Sequence, residues 1–263
     1  MITRILLMGK TRIKKKINRK KLRILDDKYI VKISENYKGL SYSDIIITWQ
    51  RWLLSDNPDE GQYGDILFLR GNIGYHQSIS NYLESSNAIP EGMAILVPIV
   101  TTYYTMGDSY KGLVINNEFY LRRAVREHVD AAGPFWATLE KKDRNYNAFK
   151  LVPNLESFRV SSMPFELDIS KENPFLDKMD EPNYPGKYTA LVSGYFVLLR
   201  DLPASSYKIR FGGYGMDNFY TESLYEIKIL PKEKITKDVS GPNFTPNHLW
   251  REKKNAITPV HIR

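Results

Sequence analysis

The most regular pattern of apolar and polar positions lies between Tyr188 and Ile229. The chain is apolar almost throughout from Tyr195 to Leu199, which is typical of a strand covered on both faces. Beyond it, apolar residues alternate with polar ones, and this period of two predicts strands with one buried face. The alternating apolar positions are Tyr207, Ile209 and Phe211, then Tyr225, Ile227 and Ile229. We therefore expect a β-sandwich built around this segment.

Two other segments have helical periodicity. Ser41 and Asp44 have the spacing of a capping box. The apolar residues that follow share one helical face: Tyr42, Ile45, Ile46, Trp49, Trp52 and Leu53. We expect this helix to pack as a lid over one end of the sandwich. A second helix is predicted from Glu118 to Ala132, with Asn116 or Asn117 as its N-cap.

Further strands are predicted at 65–71, 93–100, 155–160 and 163–169, and a hairpin signal joins 135–140 to 146–152. Pro98 places its strand at an edge or at a bulge, and the glycines between Gly212 and Gly215 are interpreted as turn glycines. The predicted fold class is all-β with two accessory helices, a single jelly-roll-like or immunoglobulin-like β-sandwich. Its predicted parts are a basic N-terminal arm (1–30), the sandwich body (31–230) and an extended C-terminal arm (231–263).

The positive charge of the chain is concentrated at its two ends. The net charge is +8. Residues 1–30 contain eleven basic and two acidic residues, and residues 231–263 contain seven and three. The body therefore carries 20 basic and 25 acidic residues, a net of −5. This distribution is typical of a protein whose arms contact an acidic partner.

The N-terminal arm carries the strongest single signal. Its predicted contact residues are Lys10, Arg12, Lys14, Lys15, Lys16, Arg19, Lys20, Lys21 and Arg23. Charges at this density favour contact with nucleic acid or with an acidic protein surface. We favour protein, because the interspersed Ile13, Ile17 and Leu22 would gain from an apolar groove. The alternative is a solubilising tail.

The C-terminal arm combines prolines with large apolar side chains. Prolines forbid a regular helix there. Exposing the large apolar side chains of Phe244 and Trp250 to water would nevertheless be unfavourable. We therefore predict that Phe244 and Trp250 bind a surface, either of the body or of a neighbouring subunit.

A search for catalytic chemistry finds little. The chain has no cysteine, which excludes disulfides, thiolate metal sites and a cysteine nucleophile. The four histidines, His76, His128, His248 and His261, are far apart and lack a second ligand at metal spacing. No segment is long and apolar enough to cross a bilayer. We predict a protein that is not an enzyme and has no metal or cofactor.

Several motifs resemble a family of β-sandwich proteins of uncharacterised function found in bacterial and viral genomes. They are Trp49-Gln-Arg-Trp52, Ile66 to Gly71, Ile89 to Ile99, Phe158 to Phe165, Gly194 to Leu199, Leu202-Pro203 and Ile209 to Gly213. The resemblance covers roughly Ser41 to Ile229 and departs from bacterial members in lacking cysteine. The resemblance implies the sandwich fold, but it implies no activity that could be assigned to any residue of this chain.

Fold and charge together lead to a functional expectation. We expect a structural subunit of a virus particle, as a minor capsid, cement or decoration protein made in the host cytoplasm and located in the virion. Its partners would be other capsid or assembly proteins. As the alternative, the N-terminal arm would bind nucleic acid. A carbohydrate-binding module is the second hypothesis, suggested by the 13% aromatic content. The core-type positions of most aromatic residues argue against it.

Overall fold

The structure is a computed structural model that describes residues 22–56, 62–71, 78–82, 88–142, 147–176, 185–216 and 220–231. Its strands are β1 (Arg23–Ile24), β2 (Ile30–Val31), β3 (Gln62–Tyr63), β4 (Ile66–Phe68), β5 (Ser78–Tyr82), β6 (Ile89–Pro90), β7 (Ala94–Thr105), β8 (Ser109–Tyr110), β9 (Leu113–Val114), β10 (Phe135–Lys141), β11 (Asn147–Lys150), β12 (Arg159–Ser161), β13 (Phe165–Ile169), β14 (Gly186–Leu199), β15 (Ser205–Tyr214) and β16 (Tyr220–Leu230). Its two α-helices are α1 (Tyr42–Leu53) and α2 (Glu118–Asp130). The predicted all-β fold with two accessory helices is confirmed.

The strands form two sheets and a separate hairpin. Sheet 1 has the order β1-β11-β10-β15-β16-β5, with β6 also paired to β16. Sheet 2 has the order β12-β14-β7-β4-β3, with β13 and β2 also paired to β14. Among the described strands, β8 and β9 form a separate two-stranded hairpin. Both sheets are mixed, because β1 pairs parallel with β11, β4 with β7, and β5 and β6 with β16.

The two sheets pack face to face around one apolar core. Side chains from β7 and β14 of sheet 2 meet side chains from β10, β15 and β16 of sheet 1: Ile95, Val97, Ile99, Val197 and Leu199 on one side, Leu139, Ile209, Phe211, Ile227 and Ile229 on the other. Each such burial stabilises the fold by roughly 1.5–3 kcal/mol. The alternation predicted for β15 and β16 is confirmed.

β14 is buried on both faces, as its continuous apolar run predicts. Val197 and Leu199 point into the sandwich core, whereas Phe196 and Leu198 pack against α1. The helix therefore covers the outer face of sheet 2, which corrects the prediction of a lid over one end. The indole of Trp49 contacts the ring of Phe196 edge-on at 5.4 Å between ring centroids.

Both predicted helix starts are confirmed. The Ser41 hydroxyl accepts from the Asp44 backbone amide at 3.2 Å, and the Asp44 carboxylate accepts from the Ser41 amide at 3.0 Å. Together they form the expected capping box. Asn117 caps α2 by accepting from the Tyr120 amide at 3.1 Å.

Several strand predictions are confirmed and others are corrected. Pro98 lies at a bulge, because the register between β7 and β14 shifts there. The predicted hairpin is β10 paired with β11. The predicted strand over 155–160 begins instead as a 3-10 turn, Leu155–Phe158, because the Asn154 side chain accepts from the Glu156 amide. Gly212 and Gly213 lie inside β15, not in a turn.

The folded body includes residues that the sequence analysis assigned to the N-terminal arm. Arg23 and Ile24 form β1 and pair with β11. Leu25 and Ile30 are buried in the sandwich core. Only residues 1–21 of that arm lie outside the part of the chain that the structure describes.

Candidate binding surfaces

Arg23 is the one predicted contact residue within the described part of the chain. It pairs with Phe149 at the edge of sheet 1, where its side chain is exposed. The other predicted contact residues lie outside the described residues: Lys10, Arg12, Lys14, Lys15, Lys16, Arg19, Lys20, Lys21, Phe244 and Trp250. The predicted contacts of both arms therefore remain predictions.

The described residues offer little that resembles a catalytic or metal centre. No group of three or more His, Asp or Glu side chains among them could hold a metal ion. His128 places Nδ1 3.1 Å from the hydroxyl oxygen of Tyr104, next to the small core between α2 and sheet 2. No helix in the described ranges is long and apolar enough to span a membrane.

One exposed surface is formed by the β8–β9 hairpin and the first turn of α2, and we call it the hairpin–helix surface. Leu113 is 58% exposed, Val114 61% and Phe119 70%. The ring of Tyr120 contacts that of Phe119 edge-on, with 5.5 Å between centroids. Tyr120 and Leu113 also line one pocket, so the hairpin and helix parts of the surface adjoin.

Backbone geometry and buried anchors fix the position of this hairpin. Lys111 and Gly112 both have positive φ, 51° and 77°, as two-residue turns of the primed type require. Ile115 is buried directly after the hairpin, and its backbone amide donates to the Asp108 carbonyl oxygen at 2.8 Å. The exposed side chains therefore stand on an anchored turn.

A carboxylate joins the hairpin to α2. Glu127 accepts hydrogen bonds from Lys111 Nζ at 2.8 Å and from Arg123 Nε at 2.7 Å. The Tyr110 hydroxyl donates to the same carboxylate at 3.3 Å. The hydrogen bonds from Lys111 and Arg123 lower the pKa of Glu127 to about 2. The carboxylate is therefore ionised at neutral pH and holds hairpin and helix together.

The pocket between hairpin and helix has a volume of about 40 Å³ and is lined by Tyr110, Lys111, Leu113, Ile115, Tyr120 and Arg123. Small-molecule sites typically enclose roughly 300–1,000 Å³. This pocket is too small for such a ligand. The hairpin–helix surface, apolar at its centre with cationic side chains beside it, has instead the composition of a macromolecular contact surface.

A second exposed group lies on the outer face of sheet 1, the face turned away from the sandwich core, and we call it the aromatic cluster. It consists of Trp136 on β10, Tyr214 on β15 and Tyr220 on β16. The ring centroids are 5.7 Å apart for Trp136 and Tyr220, 5.1 Å for Tyr214 and Tyr220, and 6.1 Å for Trp136 and Tyr214. Tyr214 is 43% exposed.

Gly212 provides the space beneath this cluster. It pairs with Trp136 on one side and with Glu222 on the other. A Cβ atom at Gly212 would lie 2.1 Å from the Thr221 carbonyl oxygen and 2.9 Å from the Glu222 Cα. Any other residue would therefore push β16 away, so the position of β15 that pairs with Trp136 has no side chain of its own.

An ion pair borders the aromatic cluster. Arg210 donates from Nε and Nη2 to the two carboxylate oxygens of Glu222, at 2.8 and 2.9 Å. The Tyr220 hydroxyl donates to the same carboxylate at 2.8 Å. Burial alone would raise the pKa of Glu222, but these hydrogen bonds outweigh burial and lower it. Arg210 is thus held in one orientation, with its side chain 54% exposed.

The sequence analysis did not find the aromatic cluster, although a signal was present. Extending the period of two from the inward-facing Phe211 places Gly212 and Tyr214 on the outer face. The pairing of β10 with β15 brings Trp136 beside them. That pairing depends on contacts between distant segments, which a single sequence does not specify.

Comparison with models of known protein families finds no match, and neither does comparison with curated proteins or with solved structures. The resemblance to a family of β-sandwich proteins therefore stays a prediction.

Proposed function

We propose that the protein is a structural subunit of a multi-copy assembly, specifically a minor capsid, cement or decoration protein of a virus particle. The observation that carries this proposal is the hairpin–helix surface. Leu113, Val114 and Phe119 are each more than half exposed, and apolar side chains grouped in this way favour a contact with another protein. The virion would be its location.

The anchoring of this surface favours a preformed interface. The hydrogen bonds of Lys111 and Tyr110 to Glu127 join the hairpin to α2 before any partner binds. Little conformational entropy is then lost on association. Such a rigid apolar surface suits repeated contacts between identical subunits or with a major capsid protein.

The charge distribution adds a second line of support. The two ends of the chain carry the whole positive excess, while the body between them has a net charge of −5. Basic arms on an acidic body favour contacts with acidic surfaces of neighbouring subunits or with the packaged genome. The body would supply the apolar contact, and the arms would contact acidic surfaces further from the body.

The test replaces exposed apolar side chains of the hairpin–helix surface. We expect the double variant Leu113→Ser, Phe119→Ser of the full chain to enter particles at less than a tenth of the normal copy number. Its melting temperature should stay close to that of the wild type, since both side chains are exposed. Quantitative mass spectrometry of purified particles measures the copy number.

Met163→Ser is the matched control, because Met163 is 63% exposed and lies between β12 and β13, where its backbone amide donates to the Ser43 hydroxyl of α1. We expect it to enter particles normally. Normal incorporation of the double variant would contradict the proposal, as would equal losses in both variants.

A further inference from the structure

The aromatic cluster has a geometry that core packing does not explain. β10 and β16 are separated by β15, so their backbones are two strand spacings apart, about 9.5 Å. The rings of Trp136 and Tyr220 are nevertheless only 5.7 Å apart. Both side chains therefore lean towards each other across β15, in the segment between Gly212, which pairs with Trp136, and Tyr214, which pairs with Tyr220.

Covering a strand glycine with aromatic rings stabilises a sheet, and Trp136 with Tyr220 accounts for that role. Tyr214 is not needed for it. Its ring packs against Tyr220 at 5.1 Å between centroids while remaining 43% exposed. Tyr214 therefore enlarges the exposed part of the aromatic cluster. The resulting surface is amphipathic, because it combines aromatic rings with the tyrosine hydroxyl groups.

The polar margin of the cluster is rigid and electrically balanced. The two hydrogen bonds to Glu222 fix the guanidinium of Arg210, so its position is set before a ligand arrives. The positive charge of Arg210 is matched by the buried carboxylate of Glu222. A ligand at this margin meets oriented hydrogen-bonding groups without an excess of charge.

We propose that the aromatic cluster and Arg210 form a binding site for an uncharged carbohydrate. The C–H face of a sugar ring would pack on the exposed ring of Tyr214 and on the edge of Trp136. The sugar hydroxyls would accept from Arg210 and exchange hydrogen bonds with the tyrosine hydroxyls. This site is separate from the hairpin–helix surface, so the inference does not depend on the assembly function.

The charge balance distinguishes a neutral sugar from an acidic one. Binding of a sialylated or sulfated glycan would require Arg210 to be shared with Glu222, whose carboxylate would repel the added anion. The observed bidentate pair thus favours neutral saccharides. A proline-rich peptide also packs on exposed aromatic rings, but it lacks the hydroxyl groups that would form hydrogen bonds with Arg210.

The experiment probes the full-length chain against an array of neutral, sialylated and sulfated oligosaccharides, with a decaproline peptide alongside. The strongest neutral ligand is then titrated by calorimetry. We expect neutral oligosaccharides to bind and Tyr214→Ala to weaken that binding at least tenfold. Phe119→Ala, an exposed aromatic residue on the hairpin–helix surface, is the matched control and should bind as the wild type does.

Folding is monitored in parallel, because a ring removed from a sheet can act through stability. Tyr214→Ala should melt within a few degrees of the wild type, and Trp136→Phe, which keeps a ring over Gly212, should retain part of the affinity. A blank array, binding of acidic glycans or decaproline alone, or equal affinity of Tyr214→Ala would overturn the proposal. A blank array or equal affinity would mean that the cluster has only a structural role, and binding of acidic glycans or decaproline alone would mean that the protein binds a different class of ligand.

Discussion

The hydroxyl of Tyr42 accepts a hydrogen bond from the backbone amide of Leu198, 3.0 Å away. The same hydroxyl donates to the carbonyl oxygen of Val31 at 2.8 Å. Burial raises the pKa of Tyr42, so the hydroxyl is protonated at neutral pH. One side chain of α1 thus links the helix to both β2 and β14.

We predict that Tyr42→Phe lowers the free energy of unfolding by about 1–3 kcal/mol, because it leaves a buried amide and a buried carbonyl group without this partner. Urea denaturation measures the change. The control is Tyr214→Phe, which removes a hydroxyl from an exposed ring and should change stability by less than about 0.5 kcal/mol. Equal effects would mean that the Tyr42 hydroxyl does not bridge helix and strands.

Glu127 predicts a specific dependence of stability on pH. Its pKa in the folded protein is about 2, below the ordinary value of 4.5, because Lys111 and Arg123 donate to the carboxylate. Its stabilising contribution is therefore fully present above pH 4.5 and is lost as the pH falls towards 2. We expect Glu127→Gln to lower the melting temperature at pH 6 and to have little effect near pH 2.

Thermal melts of both proteins from pH 2 to pH 7 measure this difference. Phe119→Ser on the same helix carries no titratable group and should shift the melting temperature equally at every pH. If Glu127→Gln also shifts it equally at every pH, the ion pairs of Glu127 contribute nothing to stability.

The N-terminal arm can be tested with a truncation that leaves β1 intact. We predict that deleting residues 1–21 prevents incorporation of the protein into particles without changing its melting temperature. The core contribution of Leu25 remains, and β1 starts only at Arg23. Quantification in purified particles and thermal melts are the two measurements. A truncated protein present at normal copy number would identify the arm as a dispensable tail.

A second arm variant separates protein contact from nucleic-acid contact. Ile13→Ser, Ile17→Ser keeps every basic residue of the arm, so it should weaken docking in an apolar groove but leave binding to phosphates unchanged. If nucleic acid is the partner, the logarithm of the affinity should instead fall linearly with the logarithm of the salt concentration.

Much of the local structure could be predicted from short stretches of sequence. The capping box of Ser41 and Asp44, the Asn117 cap, the continuous burial of β14 and the alternation in β15 all follow from interactions within a few residues or from one period. The 3-10 turn at Leu155–Phe158 was missed because the Asn154 side chain competes with strand pairing for the backbone.

The sequence by itself determined that this chain is a β-protein with two capped helices, an acidic body and basic ends, because propensity, periodicity and charge are local properties. Only the tertiary structure decided which exposed residues stand together. From the sequence alone, Gly212 was predicted to be a turn glycine. In the structure, the pairing of β10, β15 and β16 places it between Trp136 and Glu222. Strand pairing joins residues more than 70 positions apart along the chain, such as Trp136 and Gly212, and the free energy that selects that register comes from the shared core rather than from either strand alone.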